Sequence, residues 1–161
     1  MPTKTARPLE LDDFDRAILQ IVQRDNLMSH AAIGERVGLS ASAVRRRLGA
    51  MREDKVIARD VALVDADRFG VTLVVTVTFA VETPEIYAAF EAQVQALTQV
   101  RQCYHVAGSA DYILIVLAPS LQFYENWSME QFMGNNAIRR YDSVVAWSCK
   151  KFETAIDSAE L

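Results

Sequence analysis

The chain has 161 residues, 51% of them hydrophobic, with 17 Lys and Arg against 21 Asp and Glu, a formal net charge of −4. That length supports one or two modest cores, and no apolar run reaches the roughly 18 residues of a membrane span. The opening MPTKTARPLE lacks the apolar centre of a secretion signal, so residues 1–9 are expected to form a flexible, weakly basic arm on a cytoplasmic chain.

The charge is unevenly divided. Residues 1–65 hold 11 Lys and Arg against 10 Asp and Glu, a net of +1, whereas residues 66–161 hold 6 against 11, a net of −5. Between Ser40 and Arg52 there are four arginines and no acid. A local field of that kind attracts phosphate whatever the total charge.

In chain order, Leu11, Phe14, Ile18, Leu19 and Val22 recur at helical spacing and predict a first helix. Ser29 is placed to cap a second, over Ala31 to Val37, by accepting a free backbone N–H of its first turn. Gly38 suits the left-handed residue beyond a helix end. Ser40 repeats the capping role for a third helix, whose stripe is Ala41, Val44, Leu48 and Met51. At about 100° per residue, the opposite face carries Ser42, Ala43, Arg46, Gly49 and Ala50. Arg45 and Arg47 stand on the two flanks. A helix-turn-helix with a basic second helix places side chains in the DNA major groove. The expected DNA-binding residues are Ser40, Ser42, Ala43, Arg45, Arg46 and Arg47. Arg46 is central enough for base edges, and the flanking arginines suit phosphates.

Beyond a linker strand at 61–70 the rhythm changes. VTLVVTVTFAV, Val71 to Val81, predicts a long strand. Thr83-Pro84 opens a helix to about Leu97 with Ile86, Phe90, Val94 and Leu97 inward. Val100 to Ala107 and Tyr112 to Leu117 predict strands joined by GSAD, a turn signal. Ser120 caps a further helix with Phe123, Trp127 and Phe132 inward, and Val144 to Trp147 begins a last strand. The order strand, helix, strand, strand, helix, strand is the ferredoxin-like βαββαβ arrangement, an antiparallel sheet with both helices on one face. Its other face is also apolar and needs cover, so a sheet-to-sheet homodimer is expected.

Several of these motifs resemble one family. LDDFDRAIL at Leu11 to Leu19 and IGERVGLSASAVRRRL at Ile33 to Leu48 are similar to the opening and the reader segment of the leucine-responsive regulatory protein (Lrp/AsnC) family. The resemblance continues to about Phe152. It implies an α+β protein with an N-terminal helix-turn-helix of winged-helix type at 10–60 and a C-terminal ferredoxin-like domain at 61–161 for oligomerisation and ligand sensing. It also implies dimers that assemble into tetramers or octamers. Lys55, Arg59 and Asp60 stand where the family usually has glycines around a wing, so a differently shaped wing is expected. VAGSADYIL at Val106 to Leu114 resembles the family's Gly-x-x-Asp-Tyr loop, which helps line an amino-acid effector site. The resemblance thus implies Gly108, Ser109, Ala110, Asp111 and Tyr112 as effector-binding residues. Read without it, GSAD is a hairpin turn with Asp111 bonding its own backbone. GNNAIRRYDSVV, Gly134 to Val145, resembles a further family pattern that adds Ser143; Arg139 and Arg140 beside it would point oppositely if they lay in a strand.

No catalytic or metal constellation is expected. His30 and His105 lack ligand spacing, and there is no glycine-rich phosphate loop. Cys103 and Cys149 fall in strand-like stretches and read as small core residues of a reducing compartment. Cys103 and His105, two apart on one strand, face the same side. The pair reads as a half-buried thiol beside a hydrogen-bonded imidazole rather than as nucleophile and base. The expected function is a transcriptional regulator without cofactor or enzymatic activity. Its partners are double-stranded DNA and a small-molecule effector, an amino acid by resemblance, and it has no membrane partner. The alternative is an architectural, nucleoid-type DNA-binding protein that needs no effector.

Overall fold

A computed structural model describes residues 10–157; the arm expected at 1–9 lies outside the described residues. The chain forms two compact units. Among these residues the first comprises 10–63 and 151–157, and the second comprises Val64–Lys150. One boundary near residue 60 was expected, so the return of the tail to the first unit is a correction.

The first unit is built on α1 (Asp13–Val22), α2 (His30–Val37) and α3 (Ala41–Glu53). A capping box starts α1: the Asp12 carboxylate accepts the Asp15 N–H at 2.9 Å and Asp15 accepts the Asp12 N–H at 3.3 Å, filling two donors that a helix start leaves free. Ser29 and Ser40 cap α2 and α3, accepting from the Ala32 and Ala43 N–H groups at 3.2 Å each. Gly38, at φ 74°, ends α2 in the left-handed region. Gly34 serves differently, because a Cβ there would overlap the Leu39 carbonyl; only glycine lets α2 approach the turn so closely. Ile18, Leu19, Ile33, Val44, Leu48 and Met51 close the core. Cutting a buried leucine such as Leu48 to alanine costs on the order of 2–5 kcal/mol. Two expected core residues lie outside: Ala41 is exposed and Phe14 is 43% exposed.

No strand forms between the end of α3 and Val71. The expected wing and linker strand are replaced by irregular chain and a 3-10 turn at Ala66–Arg68. Lys55 follows α3 at φ 59°, a left-handed conformation that costs a non-glycine residue roughly 1 kcal/mol. Residues 151–157 pack with the helices of the first unit. The Gln23 side chain clamps the Ile156 backbone, donating to its carbonyl at 3.0 Å and accepting from its N–H at 2.7 Å, and Gln20 donates to Asp157 at 2.9 Å.

The second unit contains β1 (Val71–Phe79), α4 (Pro84–Ala96), β2 (Val100–His105), β3 (Tyr112–Ala118), α5 (Leu121–Ser128) and β4 (Ile138–Val145). The sheet order is β2-β3-β1-β4, antiparallel throughout, as a βαββαβ chain requires. Leu73, Val75, Val77 and Phe79 alternate inward and meet Phe90, Val94, Tyr124, Trp127 and Phe132 from the helical layer. On the other face the register aligns Val74 with Ile115 and Val144, and Thr76 with Ile113.

The second half of this unit differs from expectation in four places. Tyr124, not Phe123, points inward from α5. A π-helical turn at Met129–Met133 follows α5, and the wider turn still brings Phe132 into the core. The last strand begins at Ile138 rather than Val144 and stops before Trp147, which is 98% exposed. Cys149 is exposed and outside any strand.

Candidate nucleic-acid interface and effector loop

The turn into α3 rests on Ser40, whose hydroxyl also contacts that of Ser42 at 3.1 Å. With Val44, Leu48 and Met51 inward, the outward face forms an open depression lined by Ser42, Arg45, Arg46, Gly49, Ala50 and Glu53. Small residues at 49 and 50 leave room for a flat or convex partner. Among the described residues no hydrogen bond or ion pair engages Arg45 or Arg46, and both are exposed. Ala43 is half-buried beside them. Glu53 joins this face unexpectedly; counting two further turns from Arg46 would have placed it there.

Arg47 is a correction. Expected on a phosphate-facing flank, it turns back into its own unit, where Nη1 donates to Asp12 at 2.7 Å and to Asp15 at 2.8 Å. Its guanidinium lies over the Phe14 ring, 5.4 Å from the centroid, which explains why Phe14 stays partly outside the core. At 140° from Ser42 by helical count, Arg47 borders the buried stripe, so α1 lies within its reach. The Asp15 N–H, aided by Arg47, holds the Asp12 carboxyl below the usual carboxylate range.

The β2–β3 hairpin carries the expected effector residues, and the structure uses two of them internally. The Asp111 carbonyl closes its own turn by accepting the Val106 N–H at 2.9 Å, but its side chain does not bond that turn. Its carboxylate accepts the Phe79 N–H at 2.7 Å and the Tyr87 hydroxyl at 3.4 Å, and its N–H donates to the Val77 carbonyl at 2.9 Å. It therefore ties the hairpin to the end of β1 and to α4. Tyr112 is buried, donates to Glu91 at 2.7 Å and stacks on His105 at 4.8 Å; desolvation raises its hydroxyl above the ordinary tyrosine range. Gly108 and Ser109 stay exposed at the tip and Ala110 is half-buried. A Cβ at Gly108 would meet nothing within 4 Å. Ser143 contacts the Tyr124 hydroxyl at 2.5 Å on β4, and β1 separates it from β3. It is not brought to the hairpin within one chain.

Cys103 and His105 share the helix-covered side. Burial pushes the Cys103 thiol up, away from the thiolate, and the His105 ring packs against Tyr87 at 4.9 Å. A second depression is lined by Phe132, Met133, Ile138, Arg139, Arg140 and Tyr141. Arg140 there forks onto Asp142. Among the described residues no group of three His, Cys, Asp or Glu is placed to hold a metal, and no helix is long and apolar enough to cross a membrane.

Comparison with known proteins agrees with this geometry. A family model for the AsnC-type helix-turn-helix domain matches residues 11–52, and one for the Lrp/AsnC ligand binding domain matches residues 72–156. The chain is 33% identical to an HTH-type transcriptional regulator of Sinorhizobium fredii, over 92% of this chain and 89% of that protein. It is 29% identical to the leucine-responsive regulatory protein of Salmonella typhimurium, over 82% of this chain and 84% of that protein. A crystal structure of an AsnC family transcriptional regulator from Agrobacterium tumefaciens superposes with a TM-score of 0.84 at 32% identity, covering 91% of this chain and 96% of that one. A Neisseria meningitidis transcriptional regulator solved as an L-Met complex shares the fold, with a TM-score of 0.84 at 22% identity over 91% of this chain and 96% of that one. The helix-turn-helix, the ferredoxin-like sheet and these likenesses place the chain in the Lrp/AsnC family of transcriptional regulators, with a DNA-binding unit and a ligand-binding domain.

Proposed function

We propose that the protein is an amino-acid-responsive regulator that reads DNA as a homodimer or higher even assembly. The observation that carries the reading is the exposed, unpaired pair Arg45 and Arg46 along the open depression of a capped second helix. Arg46 is assigned to base edges and Arg45 to phosphate, with Ser40, Ser42 and Ala43 lining the approach. One reader helix gives a small basic footprint, so useful affinity calls for two on one duplex. The uncovered sheet face around Val74, Ile115 and Val144 is the surface assigned to pairing.

The effector site is assigned to the exposed hairpin tip, Gly108 and Ser109 with Ala110, in contact with a second copy that supplies what one chain lacks. Asp111 and Tyr112 shape the tip from inside. Ser143 belongs to the site only if another copy brings it there. The amino-acid class is supported by the ligand-binding family model and by the L-Met complex of the Neisseria protein. Binding between sheets would shift their packing and so the spacing of reader helices along DNA. An architectural protein without effector is the competing reading.

A thermal-shift screen of the amino acids, L-methionine included, tests this directly, because a ligand bound only by the folded chain raises its stability. The expected result is one class of amino acid that raises the melting temperature and changes DNA affinity. A chain that binds DNA tightly yet responds to none of them is architectural.

A further inference from the structure

The second residue past α3 holds a conformation that stability alone would give to another side chain. Lys55 lies at φ 59°, where glycine or asparagine sits with the least strain. The surrounding contacts impose that angle. The Lys55 N–H donates to the Arg52 carbonyl at 3.2 Å and the Ile57 N–H to the Met51 carbonyl at 3.0 Å, while Ile57 packs on the reader core. Arg52 forks onto Asp60, Nε to Oδ2 at 2.8 Å and Nη2 to Oδ1 at 3.1 Å, and so anchors the chain on the far side.

Those backbone bonds close the helix end without any part for the side chain. The Lys55 side chain is exposed, and among the described residues no hydrogen bond or ion pair engages its ammonium, although Glu53 and Asp54 precede it. Strained backbone that is over-determined by its surroundings concentrates at functional positions. In one class of three-helix DNA readers the C-terminal end of the reader helix meets the duplex backbone, and a compact ammonium suits a phosphate oxygen.

We infer that Lys55 is a phosphate-contacting residue of the DNA interface, anchoring the duplex backbone at the C-terminal end of α3 while Arg45 and Arg46 act along the depression. The inference rests on α3 being the reader helix. It makes opposite predictions for stability and binding at one position: Lys55→Gly relieves the backbone and removes the contact.

The test uses the full-length chain, a mixed-sequence duplex and a salt series read by fluorescence anisotropy, beside thermal unfolding. Lys55→Gly is expected to raise the melting temperature, to weaken binding on the order of five- to tenfold at ~0.1 M salt, and to lower the slope of log K against log salt by about one. Lys55→Arg is expected to keep the wild-type slope. If Lys55→Gly binds with the wild-type slope while Arg45→Ala is weakened, the contact is absent and the inference is overturned. A lower melting temperature with unchanged binding also overturns it, since the lysine then serves only the helix end. If both variants bind as wild type, the assignment of the reader face itself fails and takes this inference with it.

Discussion

Arg46 and Arg47 are neighbours in sequence with opposite employment. One is exposed and unpaired; the other is held by two carboxylates and an aromatic ring. Arg47→Ala removes both pairings and leaves Asp15, only 8% exposed, without its cation. The expected outcome is a melting temperature lower by several degrees with an unchanged salt dependence of DNA binding. Arg46→Ala is expected to do the reverse, costing roughly 1–3 kcal/mol of sequence discrimination at unchanged stability. Thermal unfolding and salt-titrated anisotropy separate the two. Asp111 poses a similar contrast. Its removal leaves the Phe79 N–H without an acceptor, so Asp111→Ala should destabilise the second unit by about 1–3 kcal/mol, whereas Asp111→Asn keeps an oxygen there and should retain most of the stability. Denaturant unfolding measures both; equal losses would show that the charge, not the acceptor, matters. None of these partners is legible from residue type: Arg47 reads as a DNA contact until α1 is seen to lie beside it.

At the scale of elements, caps and turns were the most readable features. Ser29, Gly38, Ser40, Thr83 with Pro84, and Ser120 act on backbone within four residues, and each starts or ends the helix expected of it. The stretch after Ser120 was harder, because a π-helical turn breaks the 3.6-residue count on which the inward assignment of Phe123 relied. The early start of β4 was hidden because Ile138 to Tyr141 contains two exposed arginines beside half-buried apolar residues, which weakens the alternation. The docking of residues 151–157 was not visible at all, since Gln20 and Gln23 look like ordinary solvated positions on α1. Gln23→Ala deletes both bonds to Ile156. It should speed amide exchange at Ile156 and expose the segment after Lys151 to trypsin, while α1 to α3 keep their protection. Unchanged exchange at Ile156 would mean that packing, not the clamp, holds the tail.

For the whole molecule, the uncovered sheet face sets the expectation for assembly. Ile115→Asp places a charge among Val74, Val144 and Ile113 without touching the helix-covered core, so light scattering should show a smaller species with unchanged secondary structure; an unaltered mass would move the dimer contact elsewhere. Acid should act chiefly on the first unit. Asp12 and Asp60 have carboxyls held below the ordinary 3.8 by the Asp15 N–H and by Arg52 respectively. Their contribution is complete above that value and is lost as pH falls from 3.8 through the lower folded values, so the melting temperature should fall in that window, and less so in Arg52→Ala. The sequence by itself determined the two-unit plan, the helix-turn-helix, the βαββαβ order and the exposed side of α3, because all of these follow from local capping and from hydrophobic periods of 3.6 and 2. Only the tertiary structure decided that Arg47 and Asp111 serve their own chain, that Lys55 is forced left-handed, and that the tail returns to α1. Those outcomes depend on which distant backbone and side-chain groups packing brings within hydrogen-bonding distance, and no local period records that.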